Sequence, residues 1–273
     1  MEILVLFAAL LISHHVKGIN RFRSADWIFS ALSWIEARWP NTPWLDLVFI
    51  IVVSVIGGGA LAALAEGVGG EFLWALAAVV VLLLTLGPRD LEDDIEEAVA
   101  SETGSVALGI SETDDAHRAG VSVYLAALSR WFGVLFWFVI LGIPGALMYR
   151  ITERVCDEAN TDQSREWVFR LRFFLEWPVL LLMMVSSALT NDFDRVYQAW
   201  HHYRSSRQGE GGAEQKTAFW MIHRSLLGEL ADAVLPEGLD QRGGIQLIHH
   251  FVWRMLILWL VILSVLLLAG WLT

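Results

Sequence analysis

The fold is decided by residues 44–86, which read WLDLVFIIVVSVIGGGALAALAEGVGGEFLWALAAVVVLLLTL. The apolar run over 44–65 is long enough to cross a bilayer, which needs about 20 residues. The acidic and glycine-rich stretch 66–70 predicts a tight turn, and 72–86 is apolar again. The sequence therefore predicts two spans joined as a helical hairpin. The three glycines at 57–59 are small enough to let another helix approach closely.

The composition places the whole chain in the membrane class. Apolar residues make up 56 % of its 273 residues, charged residues make up 18 %, and the mean hydropathy is +0.52. A soluble domain has about 25 % charged residues. The net charge is −11, so we predict no nucleic-acid partner, because the chain lacks a basic surface that would cover phosphates. A single cysteine, Cys156, excludes an intramolecular disulfide and a cysteine-cluster metal site.

The alternation of apolar and polar segments continues along the chain. We predict one integral membrane domain over 1–273, with spans at 1–13 (short), 44–65, 72–86, 132–148, 173–190 and 254–272. The polar segments between them are predicted to be helical, at 14–43, 88–120, 149–172 and 191–252. Within 132–148, the stretch Gly142-Ile143-Pro144-Gly145 either kinks a span or turns a re-entrant hairpin. The predicted fold class is an all-α, polytopic membrane helical bundle with amphipathic cytoplasmic helices, and its first partner is the lipid bilayer.

A strongly acidic helix is predicted directly after the second span. Its acids Asp90, Asp93, Asp94 and Glu97 share one face at i, i+3, i+4 and i+7 spacing. Mg²⁺ would accept that geometry, but the same pattern is typical of a solvated face. It is also typical of repelling acids that need a basic partner, which the arginines of 149–172 could supply. We predict no metal site here.

Two further places carry charge close to apolar sequence. Glu176 lies inside an apolar stretch, and a carboxylate at membrane depth faces a partner or a cavity because its desolvation is costly. Arg172, one helical turn earlier, is the simplest partner. Tyr149 and Arg150 follow the broken segment, where they either anchor the chain at the membrane interface or form the lip of a site. Cys156 has arginines near it in sequence but no motif around it, which predicts a spectator thiol.

Several of these stretches together resemble a known membrane family. They are Gly87-Pro88-Arg89-Asp90-Leu91, Leu135-Phe136-Trp137, the run from Gly142 to Arg150, and Glu176-Trp177-Pro178. They resemble AmpE, the inner-membrane protein associated with regulation of inducible AmpC β-lactamase. AmpE is similar to the CobD/CbiB synthases of cobalamin synthesis. The resemblance covers most of the chain and is strongest over 87–91 and 135–150.

The departures from the synthases bear on activity. The synthases carry Glu-Asn-x-x-Asp-Gly before the Leu-Phe-Trp segment, whereas this chain has Leu-Ala-Ala-Leu-Ser-Arg at 125–130. Where the synthases carry Asn-Thr-Leu-Asp after Tyr-Arg, this chain has Glu153-Arg154-Val155-Cys156, and an acid follows one place after that stretch, at Asp157. A ligase that activates a carboxylate needs polar groups for phosphate and metal. The resemblance therefore implies an AmpE-like protein that is not an enzyme.

These considerations give one leading hypothesis and two alternatives. The leading hypothesis is a regulatory or signalling protein of the bacterial inner membrane, linked to β-lactamase induction and cell-wall stress, with a protein partner or a cell-wall-derived ligand. The alternatives are a diverged CobD/CbiB-like amide-bond-forming synthase and a transporter of cell-wall fragments. No cofactor and no catalytic residue are predicted. The candidate ligand- or partner-binding residues are Arg89, Asp90, Asp94, Tyr149, Arg150, Glu153 and Glu176.

Overall fold

The secondary structure is helical. A computed structural model describes residues 5–6, 8–9, 30–31, 34, 38, 42, 44–86, 91–100, 105–158, 166–191, 193–208, 218–236 and 238–269. Within these residues, an antiparallel bridge between Ser105 and Ile110 is the one pairing of extended backbone. The predicted all-α class is therefore confirmed. The predicted segments 1–13 and 14–43 lie outside the described residues apart from isolated positions.

Helices account for most of the described residues. They are α1 (Trp44–Val52), α2 (Gly58–Thr85), α3 (Leu91–Ala100), α4 (Ala116–Ala127), α5 (Gly133–Leu141), α6 (Ile143–Glu158), α7 (Glu166–Thr190), α8 (Phe193–Gln208), α9 (Ala218–Val234) and α10 (Gln241–Leu268). Single π-helical segments join α1 to α2 (Val53–Gly57) and α4 to α5 (Leu128–Phe132).

Four helical runs are long and apolar enough to cross a membrane. Within the described residues they are Trp44–Thr85, Ala116–Leu141, Glu166–Thr190 and Gln241–Leu266. The chain is thus a multi-pass membrane protein. Three of these runs begin before the predicted spans at 132, 173 and 254. Hydropathy marks the stretch that lipid can cover, whereas backbone hydrogen bonds continue a helix through neighbouring polar residues.

The run Trp44–Thr85 is broken near its middle. Gly70 has φ 62° and ψ −155°, a conformation outside the helical region that glycine adopts without a steric penalty. The break lies at the end of the stretch 66–70, where the sequence predicts the hairpin turn.

A second glycine reverses the chain between α5 and α6. Gly142 has φ 65° and is the single residue between these helices. A methyl group placed on Gly133 of α5 would lie 2.1 Å from Cζ of Tyr149 on α6, so the two helices lie side by side. The chain turns back on itself here instead of continuing through a kink.

The helices group into two compact units. The first contains residues 1–90 and 129–176, and the second contains residues 91–128 and 177–273. In the first, α1, α6 and α7 share a buried apolar core that includes Ile50, Val155 and Val168. In the second, α4 packs against α9 and α10.

Gly58 is the point where α2 meets α6. A methyl group on Gly58 would lie 2.9 Å from Cα of Pro144, whereas no described atom would lie within 4 Å of one on Gly57 or Gly59. The close helix approach predicted for this triplet is therefore confirmed at Gly58.

The contrast within the triplet gives a test of this packing. We expect Gly58→Ala to lower the free energy of unfolding by about 1–3 kcal/mol, because the added methyl group meets backbone. Gly59→Ala is expected to leave it unchanged or raise it by up to about 1 kcal/mol, since alanine favours the helix. SDS-induced unfolding in mixed micelles measures both. Equal values for the two variants would contradict the close contact.

Candidate functional site

A cluster of charged side chains lies between α6 and α7 in the first unit. Its members, called here the charge cluster, are Tyr149, Arg150, Glu153, Asp157, Arg172 and Glu176. Tyr149, Glu153 and Asp157 recur at i, i+4 and i+8, which places them on one face of α6. Most of the cluster is buried: Tyr149 is 1 % exposed and Glu176 is 4 % exposed. Asp157 is the solvent-accessible member, with 57 % of its side chain exposed.

Ion pairs satisfy the charges of this cluster. Arg150 Nη1 donates to Glu153 Oε2 within α6. Arg172 Nε donates to Glu176 Oε1 at 2.7 Å, and Arg172 Nη1 donates to Asp157 Oδ1 at 2.9 Å. The predicted pairing of Glu176 with Arg172 is therefore confirmed. Since Glu176 is on α7 and Asp157 is on α6, the Arg172 guanidinium bridges the two helices.

Tyr149 is held as a neutral phenol. Burial raises its pKa well above the usual value, and the carboxylates of Glu176 and Glu153 raise it further. The positive charges of Arg172 and Arg150 oppose this shift but are smaller influences. A side chain this buried is not available to anchor the chain at the membrane interface, so that alternative is wrong for Tyr149.

Two contacts with α5 fix the position of the cluster. The Tyr149 ring packs against Gly133, and a larger residue at position 133 would place its side chain in the space that the ring fills. Trp137 Nε1 donates to the backbone carbonyl of Leu175 at 2.9 Å, one residue before Glu176. The stretch 135–150, in which the family resemblance is strongest, thus contacts α7 beside Glu176.

Cys156 and Arg154 lie next to the cluster on α6. Burial raises the pKa of the Cys156 thiol to about 12, against a weaker opposite influence of Arg172. Burial, together with the charge of Arg150, lowers the pKa of Arg154. The thiol is protonated at neutral pH, as expected of a spectator and not of a nucleophile.

The thiol chemistry can be measured directly. We expect iodoacetamide to modify Cys156 at pH 8 at least ~10³-fold more slowly in the folded protein than in SDS-unfolded protein, because the shift to about 12 removes most of the thiolate. The folded rate is expected to rise with pH until about 12. A folded rate that levels off near pH 9 would contradict the raised pKa.

The structure brings together four of the seven predicted candidate residues, namely Tyr149, Arg150, Glu153 and Glu176. Arg89 and Asp90 lie outside the described residues. Asp94 belongs to α3 in the second unit and is 1 % exposed, so the interpretation of this acidic face as solvated is wrong at Asp94. Sequence reasoning missed Asp157 as a member of the charge cluster. The i, i+4 spacing between Glu153 and Asp157 would have indicated that both acids lie on the same face of α6.

Neither a metal site nor a match to a known protein assigns a role to the charge cluster. No group of three or more histidine, cysteine or acidic side chains within the described part of the chain could hold a metal ion. No family model, curated protein or solved structure matches the chain. The charge cluster and the resemblance at 87–91 and 135–150 are therefore the features that bear on function.

Proposed function

We propose that this chain is an AmpE-like regulatory protein of the bacterial inner membrane, linked to β-lactamase induction and cell-wall stress, and that it acts by binding without catalysis. Three features support this proposal. The motifs at 87–91 and 135–150 resemble AmpE, four helical runs are long and apolar enough to cross a membrane, and the charge cluster uses residues of the second motif.

The observation that carries the proposal is the sharing of Arg172 between two carboxylates. Glu176 is buried on the same helix, whereas Asp157 is exposed on α6. A ligand or partner that competes for Asp157 or for Arg172 would leave the guanidinium with Glu176 alone. Such competition changes how α6 is held against α7. An ion pair with two discrete arrangements is the kind of element through which binding shifts a conformational equilibrium.

The same geometry weighs against the two alternatives. The buried carboxylates are occupied by arginines, and burial keeps both Tyr149 and Cys156 protonated. A synthase needs polar groups for phosphate and metal, and 125–130 lacks those of the related family. The transporter hypothesis rests on Glu176 as a carboxylate at membrane depth and on the broken segment 142–145, and Arg172 already neutralises Glu176.

Gene deletion tests this function at the level of the cell. We expect β-lactam-induced AmpC expression to change when the gene is removed and to return when it is restored on a plasmid. A deletion strain that induces AmpC like its parent would contradict the proposal. Rescue of a strain lacking the cobalamin synthase would favour the enzyme instead.

A further inference from the structure

Helix α8 carries an exposed aromatic and basic stripe. Phe193, Tyr197, His201 and Arg204 recur at i, i+4, i+8 and i+11, and all four are exposed. Phe193 is 61 % exposed and Tyr197 is 56 % exposed. Their rings stack at 6.2 Å between centroids with 12° between planes, and His201 follows at 6.3 Å from Tyr197. We call these four residues the outer stripe.

The opposite face of α8 is fixed by packing within the second unit. Val196 and Tyr203 are buried, and Val196 borders a small apolar cavity with Leu227 of α9. His202 Nδ1 lies 2.8 Å from Glu229 Oε1, which ties α8 to α9 at a second point. These contacts hold the outer stripe away from α9.

Helix α7 carries exposed apolar side chains shortly before the outer stripe begins. Leu182, Val185 and Leu189 are exposed on the second half of this candidate spanning helix. Helix α7 ends at Thr190, and α8 begins three residues later. The start of α8 therefore lies close to the end of the stretch that lipid can cover. Aromatic side chains are enriched at that boundary.

The charge of α8 differs from that of the chain as a whole. The chain has a net charge of −11, yet α8 contains three arginines and one aspartate. Arg204 lies on the outer stripe itself, one turn beyond His201. Basic side chains next to a membrane are attracted to anionic lipid headgroups. Anionic lipid is therefore the partner that this face fits in both its apolar and its charged parts.

We propose that α8 lies on the membrane surface and that the outer stripe binds anionic lipid headgroups, with Phe193 and Tyr197 among the headgroups and Arg204 on a phosphate. An amphipathic helix with aromatic and basic residues on its exposed face binds membranes in this way. The role is separate from the regulatory function proposed above, because it requires neither the charge cluster nor a cell-wall signal.

Spin labels on the full-length protein test the proposal. A nitroxide is attached to Tyr197→Cys or His201→Cys on the stripe, and to the exposed positions Arg195→Cys or His202→Cys off the stripe, all on a Cys156→Ala background. Each protein is reconstituted in phosphatidylcholine vesicles with and without phosphatidylglycerol. The ratio of collision with oxygen to collision with a water-soluble nickel chelate reports contact with lipid. Thermal stability in detergent verifies that each variant is folded.

We expect the ratio at the stripe positions to exceed that at the control positions by about fivefold or more in phosphatidylglycerol vesicles. Phosphatidylglycerol is expected to increase this ratio at the stripe positions. Adding Arg204→Gln is expected to make that increase about fivefold smaller, which is the effect of one basic residue at an anionic surface. Water-like ratios at Tyr197 and His201 would overturn the proposal. Labels shielded from both reagents would indicate a protein contact and also overturn it. Lipid contact that is equal in both vesicles would overturn the anionic specificity.

Discussion

Replacing Arg172 with leucine is expected to lower the free energy of unfolding by about 3–5 kcal/mol. The variant leaves the buried carboxylate of Glu176, 4 % exposed, without its guanidinium partner. A buried charge without its counter-ion is among the costliest changes that one substitution makes. The measurement is SDS-induced unfolding in mixed micelles.

The same helix supplies a matched control. Arg170 and Glu166 form a pair with the same i, i+4 spacing and the same 2.7 Å separation, but both side chains are about half exposed. Arg170→Leu is therefore expected to cost no more than about 1 kcal/mol, including its contact with the Trp167 ring. If the two single variants were equally destabilised, burial of the Arg172–Glu176 pair would not be the cause.

A double variant separates the lost ion pair from lost packing. Arg172→Leu combined with Glu176→Leu removes both charges and leaves apolar side chains in a candidate spanning helix. We expect the double variant to be more stable than Arg172→Leu alone, because no buried charge is left without a partner. A double variant that is less stable than either single variant would show that the two side chains act by packing instead.

The second large effect is expected at the turn between α5 and α6. A methyl group on Gly145 would lie 2.1 Å from the backbone carbonyl oxygen of Trp137 and 2.7 Å from Cβ of Leu141. The carbonyl cannot rotate away as a side chain can, so the helices must separate. We expect Gly145→Ala to cost about 3 kcal/mol, the upper part of the range for overpacking.

Separating the two helices also affects the charge cluster. Two contacts depend on the close pairing of α5 with α6. One is the hydrogen bond from Trp137 to Leu175, and the other is the packing of the Tyr149 ring against Gly133. We therefore expect faster alkylation of Cys156 in Gly145→Ala than in the Gly59→Ala control. Unchanged stability and unchanged alkylation in Gly145→Ala would contradict the tight turn.

Local patterns predicted those parts of the structure that depend on neighbours in the sequence. The apolar run at 44–65 predicted helix, and the i, i+4 spacing of Arg172 and Glu176 predicted their ion pair. The burial of Asp94 was not predicted. The spacing of the charges shows which residues share one face of a helix, but it does not show whether another part of the chain packs against that face.

Contacts between side chains on different helices could not be predicted from the sequence. The ion pair of Arg172 with Asp157 joins residues 15 positions apart on two helices, and it depends on how α6 and α7 are packed. The packing of the Tyr149 ring against Gly133 depends on the direction that the chain takes after Gly142. The sequence was compatible with either a kink or a reversal there, and each would place Tyr149 in different surroundings.

The regulatory role proposed for Arg172 requires its bridge between α6 and α7, and Asp157→Asn removes one end of that bridge. Asp157 is 57 % exposed, so its loss is expected to cost less than about 1 kcal/mol of stability. The measurement is β-lactam-induced AmpC expression in the deletion strain carrying wild type, Asp157→Asn or the exposed-pair control Glu166→Gln, at equal membrane levels of protein. We expect Asp157→Asn to change induction by about fivefold or more, the lower range of allosteric coupling, and Glu166→Gln to behave as wild type. Wild-type induction by Asp157→Asn would show that the Arg172 bridge has no regulatory role.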